Sequence, residues 1–225
     1  MVRAITTIVC SFLLLLSFSC SREDTGPEEA MPDKGLVTFT AMTEQGETRS
    51  SQEGSFETGD AIGVFAIEPK TGVYWAVNNK YTYDGQKFKP EAEADNIIVT
   101  VGTDFDFYVY YPFKTGQTDI TGISHTAGNQ NEKAGWISAD FMTATYTDPI
   151  RDYTVPLHFK HRMSTVEVRI ERNDGVREAT MENVKRTSRF NLLTGGISTD
   201  ESKGNCAMYK YSEAGGTTVF RVTIP

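Results

Sequence analysis

A chain of 225 residues with 39% hydrophobic and 11% aromatic side chains can bury a full core, which excludes a mainly disordered protein and makes one domain the expectation. The formal charge of −8, from 22 Lys and Arg against 30 Asp and Glu, denies nucleic acid the basic footprint that phosphate binding needs. Three cysteines, two of them among the first twenty residues, cannot build a disulfide framework, and 3 His leave little material for a transition-metal site.

The chain opens Met1-Val2-Arg3 and then runs apolar over 4–16, ending Phe12-Leu13-Leu14-Leu15-Leu16. A basic start, a short apolar run and small residues (Ser17, Ser19) before a break mark residues 1–19 as a secretory signal. The run is short for a retained membrane helix, which needs about 20 apolar residues. Cys20 stands where cleavage would fall, and Leu16-Ser17-Phe18-Ser19-Cys20 resembles a relaxed bacterial lipoprotein signal, whose new N-terminal cysteine carries diacylglycerol. That resemblance makes Cys20 the expected lipidation point and outer-membrane lipid its partner. Several acyl chains, at about 0.8 kcal/mol per buried methylene, hold a protein firmly on a bilayer. Ser21-Arg22-Glu23-Asp24 looks like the basic-acidic tag that some Gram-negative bacteria read for surface export. Residues 20–35, with Pro27, Pro32 and seven charges, read as a flexible tether. Its fifteen residues after Cys20, 21–35, reach at most about 50 Å when extended.

From residue 36 to 225 the dominant period is two. Val37-Thr38-Phe39-Thr40-Ala41 alternates as a half-buried strand should. Ala61–Ile67 is a continuous apolar run, short enough for a strand buried on both faces. Strands are expected at 73–77 and at 81–83. Asp84-Gly85 then predicts a hairpin with a type I′ turn into 87–89. After a β-branched stretch at 96–101, Phe105, Phe107, Val109, Tyr111 and Phe113 fall on one strand face, with Asp104, Asp106, Tyr108 and Tyr110 on the other. A loop rich in Gly, Thr and Asn follows over 114–135. Strands resume at 141–146, 155–170, 179–184, 190–193, 208–211 and 217–224. Many short strands and no clean 3.6 period argue for an antiparallel β-sandwich.

Little of this resembles an active site. His158 and His161, three apart on a strand, point to opposite faces and cannot share a metal. Asp104 and Asp106 share a face, yet calcium wants six or more oxygens and no Asp-rich loop surrounds them. Cys206 lacks a basic sequence neighbour to activate it. No nucleophile elbow, phosphate loop or dinucleotide fingerprint occurs, so no cofactor, no metal and no enzymatic role are expected. Tyr74, Trp75, Tyr108, Tyr110 and Trp136 are available for a sugar platform, although cross-strand pairing is the commoner use of aromatics in β proteins.

The motifs in order form a further pattern. Val37-Thr38-Phe39-Thr40-Ala41 is followed by Thr48-Arg49, then Gly59-Asp60-Ala61-Ile62-Gly63-Val64-Phe65 and Asn79-Lys80-Tyr81-Thr82-Tyr83-Asp84-Gly85. Tyr110-Tyr111-Pro112, Asp140-Phe141-Met142-Thr143-Ala144, Val155-Pro156-Leu157-His158-Phe159-Lys160-His161-Arg162-Met163-Ser164 and Asn191-Leu192-Leu193-Thr194-Gly195 complete it. Over residues 20–225 the series resembles the fimbrillin family, surface lipoproteins and pilus subunits of the type V pathway. The resemblance implies a transthyretin-like antiparallel β-sandwich, lipoprotein export to the outer membrane, and assembly into adhesive fimbriae with host protein or glycan as a further partner. It also implies that a trypsin-like cut between Arg49 and Ser50 frees the first strand, carrying Val37, Phe39 and Ala41, for exchange with another subunit's donor strand. Family pilins carry a second β domain with the donor strand, and this sequence stops where a first domain would end. The competing expectation is a surface glycan-binding lipoprotein, which would gather its aromatic rings on one exposed platform.

Overall fold

The computed structural model of the protein describes residues 33–43, 56–171 and 175–225. In chain order the strands are β1 (Lys34–Leu36), β2 (Thr38–Thr43), β3 (Ala61–Ile67), β4 (Tyr74–Tyr83), β5 (Phe88–Pro90) and β6 (Ile98–Thr100). Next come β7 (Asp106–Tyr111), β8 (Ile123–Thr126), the short helix α1 (Lys133–Ser138), β9 (Met142–Tyr146), β10 (Thr154–His161) and β11 (Ser164–Glu171). The chain finishes with β12 (Thr180–Lys185), β13 (Thr187–Asn191), β14 (Gly196–Thr199), β15 (Lys203–Ala207), β16 (Tyr209–Ala214) and β17 (Thr217–Ile224).

Seven of these strands close a ring in the order β10-β2-β5-β4-β3-β7-β9. The ladders are antiparallel as expected, except that β10 runs parallel to β2. Two seams of the ring are thin. β2 meets β5 only at Phe39↔Phe88, and β9 meets β10 only at Thr143↔Lys160 and Met142↔His161. The ring therefore divides into a broad face, β5-β4-β3-β7-β9, and a narrow face, β10-β2. The side chains between them, among them Val37, Phe39, Val64, Tyr81, Phe107 and Phe159, form the first core.

Outside the ring, β8, β13 and β14 form one sheet, β11, β17 and β16 another, and β12 with β15 a pair. The first of these buries the outer faces of β3 and β7. Phe65 and Tyr110 lie there against Ile123, Phe141 and Phe190, and the Phe141 and Phe190 rings stack at 4.1 Å. A third core joins Phe220 and Val222 of β17 to Cys206, Met208 and Val166.

Several elements depart from the sequence expectation. The strands expected at 73–77 and 81–83 are one strand, β4, which Asn78 bends by adopting a left-handed φ of 58°. The hairpin after it has no type I′ turn. Tyr83 pairs with Phe88, leaving four residues in the loop, of which only Gly85 has positive φ. The Asp84 carboxylate instead accepts the backbone N–H groups of Gln86 and Lys87 at 2.9 Å each, so the side chain builds the turn. The segment expected to be a loop, 114–135, contains β8 and the first turn of α1, and β14 and β15 had no expected counterpart. β1 takes in Lys34 and Gly35, from the end of the expected tether, and pairs them with Thr100 and Val99.

β7 is buried on both faces, which alternation alone did not show. Phe107, Val109 and Tyr111 enter the first core while Tyr110 enters the second. Tyr110 is locked in place by a closed set of hydrogen bonds. Its hydroxyl donates to Asn78 Oδ1 at 2.7 Å, Asn78 Nδ2 donates to the Lys114 carbonyl at 2.8 Å, and the Lys114 N–H donates to the Tyr110 hydroxyl at 3.1 Å. Cross-strand from Tyr110 lies Gly63, and a Cβ there would come within 2.3 Å of Tyr110 Cε1 and 2.5 Å of Asn78 Oδ1. Glycine is required at 63 because the tyrosine ring occupies the space of a side chain. Gly63→Ala is expected to cost about 2–3 kcal/mol in urea unfolding, whereas Gly128→Ala, whose Cβ would meet nothing within 4 Å, stays within about 0.5 kcal/mol.

Candidate assembly site

The strand expected to be exchangeable is β2 with the residue before it. Its alternating pattern sends Val37 and Phe39 inward, where both are fully buried, and Ala41 packs partly buried against the same core. Phe39 meets Tyr81 and Phe107 edge-on, with ring centroids 5.0 and 5.3 Å apart. The Val37 N–H donates to the Ile97 carbonyl at 2.9 Å, and the Thr38 N–H donates to the Tyr153 carbonyl at 2.7 Å. From there the strand follows β10 in parallel, from Thr38↔Thr154 to Thr43↔Phe159. On its other side only Phe39↔Phe88 holds it. β2 is thus fixed by one ladder and by side chains dropped into the core. Its removal would leave one backbone edge of β10 unpaired above pockets for Val37 and Phe39.

Arg49 and Ser50 lie outside the described residues, as do Cys20 and the signal 1–19. Both flanks of the 44–55 segment are anchored. Before it stands β2. After it Phe56 packs edge-on against Phe88 and Phe159, at 5.0 Å each, and Tyr111, at 5.4 Å. Next, Asp60 ties down the entry to β3. One carboxylate oxygen accepts the Glu57 N–H at 2.8 Å and the other accepts the Tyr111 hydroxyl at 3.0 Å. Burial, and then the Asp60 charge, push the Tyr111 phenol up, so it stays a hydrogen-bond donor. The Gly59-Asp60 motif is therefore a turn and a clasp.

The remaining candidates are spread apart. His158 is exposed, whereas His161 donates from Nδ1 to buried Asp140 at 2.5 Å. Asp104 pairs with Lys70 at 3.0 Å, and burial raises the Asp106 carboxyl next to Tyr108. Cys206 is buried and its thiol is pushed up by burial, which leaves it unreactive. Among the described residues no three potential ligands gather into a metal cluster. The five aromatics form no platform. Tyr110 and Trp136 are fully buried, Trp136 stacks on Tyr209, and of the five only Tyr74 and Trp75 are exposed, with Trp75 edge-on to Phe105.

The fimbrillin-like family model matches residues 48–225, most of the chain, although it begins later than the residue-20 start expected from the motifs. The chain belongs to the fimbrillin-like family. This is a family of fimbrial and adhesion proteins rather than of enzymes, and membership implies a place in cell-surface fimbriae among other fimbrial subunits. The fold is similar to that of a candidate cell adhesion protein from Bacteroides ovatus, at 17% identity and a TM-score of 0.62, covering 85% of this chain and 78% of the other. A second, from Bacteroides uniformis, aligns at 19% identity and 0.59, covering 84% and 75%. No curated protein matches by sequence.

One titratable residue of this fimbrillin-like chain escaped sequence reading because its strand, β8, was hidden in a polar loop. His125 is buried in the second core, where its Nε2 donates to the Ala139 carbonyl at 3.0 Å and its Nδ1 has no partner. Burial pushes it down to about 4, assisted by the Lys114 charge and opposed by the Ala139 bond and by Asp140. A group depressed in the folded state takes up its proton more readily when unfolded, so its contribution is complete above about pH 6.5 and is lost as pH falls toward 4. Urea unfolding between pH 7 and pH 4.5 should therefore show a loss on the order of 2 kcal/mol that is absent from His125→Leu. Equal slopes in the two proteins would show that His125 does not titrate in this window.

Proposed function

We propose that the chain is a fimbrial subunit delivered to the outer membrane as a lipoprotein through Cys20 and matured by a cut between Arg49 and Ser50. The cut frees β2, and a donor strand from another subunit takes its place. The carrying observation is the position of β2, held by a ladder to β10 and a single pair to β5 while Val37 and Phe39 fill the core. Strand addition uses those two elements: an unpaired backbone edge for affinity and alternate side-chain pockets for register. The Gly, Ser and Glu residues around Arg49 suit protease entry, and no helix among the described residues is long and apolar enough to cross a membrane. The ligand that finished fimbriae engage is a host protein or glycan.

Limited digestion of the full chain with an Arg-specific protease tests this. The expected first product begins at Ser50, and it should bind a synthetic peptide of residues 36–43 or self-associate on size-exclusion chromatography. A product that stays monomeric and ignores the peptide would mean that β2 is a permanent strand. Cys20→Ala should abolish metabolic palmitate labelling, and unchanged labelling would remove the lipoprotein anchor from the proposal.

A further inference from the structure

The motif Asn191-Leu192-Leu193-Thr194-Gly195 plays no part in β2 exchange, and it lines a cavity of about 340 Å³ on the outer side of β9. The turn is built by its own side chains. Asn191 Oδ1 accepts the N–H groups of Leu193 at 3.0 Å and Thr194 at 3.1 Å, and Thr194 Oγ1 accepts that of Gly196 at 3.2 Å. Facing it are Thr143, Thr145 and Thr147, whose alternation follows from the inward burial of Met142 and Ala144. Arg162 completes the wall. Its Nε donates to Thr143 Oγ1 at 2.7 Å, and its Nη2 end lies beside Gly195. No described carboxylate forms an ion pair with Arg162, and no Asp or Glu lines the cavity. Tyr108, also in the wall, contributes its ring to the cavity.

We propose that this cavity binds one carboxylated sugar, a uronic or sialic acid residue at the end of a glycan. The guanidinium, oriented by Thr143, supplies charge-assisted hydrogen bonds to the carboxylate. The threonine hydroxyls, each able to donate and accept, match ring hydroxyls. Tyr108 and Leu193 supply apolar area for the C–H face of the ring. The volume sits at the low end of the range of about 300–1,000 Å³ for small-ligand sites, which suits a single ring better than an extended chain. A bare carboxylate such as acetate is too small to reach the guanidinium and the several threonine hydroxyls of the wall together. The site lies opposite the core that holds β2, so it stands whether or not β2 exchanges.

Isothermal titration of the full chain with methyl glucuronide, N-acetylneuraminic acid, methyl glucoside, acetate and a peptide with a free terminal carboxylate tests the proposal. At least one acidic sugar should bind about tenfold more tightly than the glucoside, acetate and the peptide. Arg162→Gln should remove that preference. Thr145→Val changes an exposed hydroxyl on the rim and keeps the test decisive if the Arg162 variant fails to fold. It should weaken binding of the acidic sugar by about threefold or more, the loss of roughly one hydrogen bond. Absence of binding by both acidic sugars, equal binding of the glucoside, or unchanged affinity in Thr145→Val would overturn the proposal. Equal binding of acetate or of the peptide would assign the cavity to a bare carboxylate, a protein terminus included, and would overturn it equally.

Discussion

The packing of Phe39 is the contact on which the ring closes. Its backbone forms the only pair between β2 and β5, and its ring is wedged edge-on between Tyr81 of β4 and Phe107 of β7. Without that wedge, the backbone contact between β5-β4-β3-β7-β9 and β10-β2 would be the short β9–β10 seam, with Val155, Leu157 and Phe159 of β10 left to hold the shared core. Burying a phenylalanine side chain is worth about 1.5–3 kcal/mol. In this position the same burial also determines how the two faces are held together. The position carries far more of the architecture than its place near the beginning of the described chain suggests.

This arrangement separates what holds β2 from what holds the rest. β3, at the centre of the broad face, has ladders on both sides and two buried faces, so it resists local opening. β2 has one long ladder, and that ladder joins residues more than a hundred positions apart, as the hydrogen bond from Thr38 to Tyr153 shows. A contact of such sequence separation forms only after a large loop has closed. The ladders of the broad face join residues closer in sequence, from the β3–β4 and β4–β5 hairpins to the longer β3–β7 and β7–β9 pairings, so they close smaller loops. Exchange of β2 for a similar strand would then demand little of the rest of the molecule: the groove is shaped by Tyr81, Phe88 and Phe107, which the broad face already positions.

How much of this was legible in the sequence depended on whether a segment's pattern was local. Ala61–Ile67 and Thr217–Ile224 announced themselves because runs of β-branched and aromatic residues bounded by turns need no partner to be recognised. β8, with the sequence Ile-Ser-His-Thr, looked like loop because its strand character comes from pairing with β13 and from the burial of His125. β14 was missed for a related reason: all of its residues are exposed, so no alternation exists to read. The Asp84-Gly85 turn was placed correctly and typed wrongly, since the Asp84 side chain captured the backbone donors before a two-residue turn could form. The inward residues Val37 and Phe39 were readable from alternation. The parallel partner of their strand was not, because parallel pairing between distant segments leaves no mark on either one alone.

The motifs that carried the family resemblance turn out to share a physical trade. Gly59-Asp60 clasps the start of β3 to Tyr111, Gly63 yields its volume to Tyr110, and Asn191 folds the turn after β13 over its own backbone. Each uses a small or short polar side chain at a place where the chain must bend sharply or approach a ring, and each frees larger neighbours for packing. Function in such a scaffold does not require a dedicated catalytic constellation. It can reside in a strand that one side holds lightly, and in a surface recess whose walls, such as Thr143 beneath Arg162, are positioned by the same ladders that bury the core. The recess lies on the outer side of β9 while Val37 and Phe39 of the first strand segment point into the core, and β10, paired with both β2 and β9, is the element that joins the two.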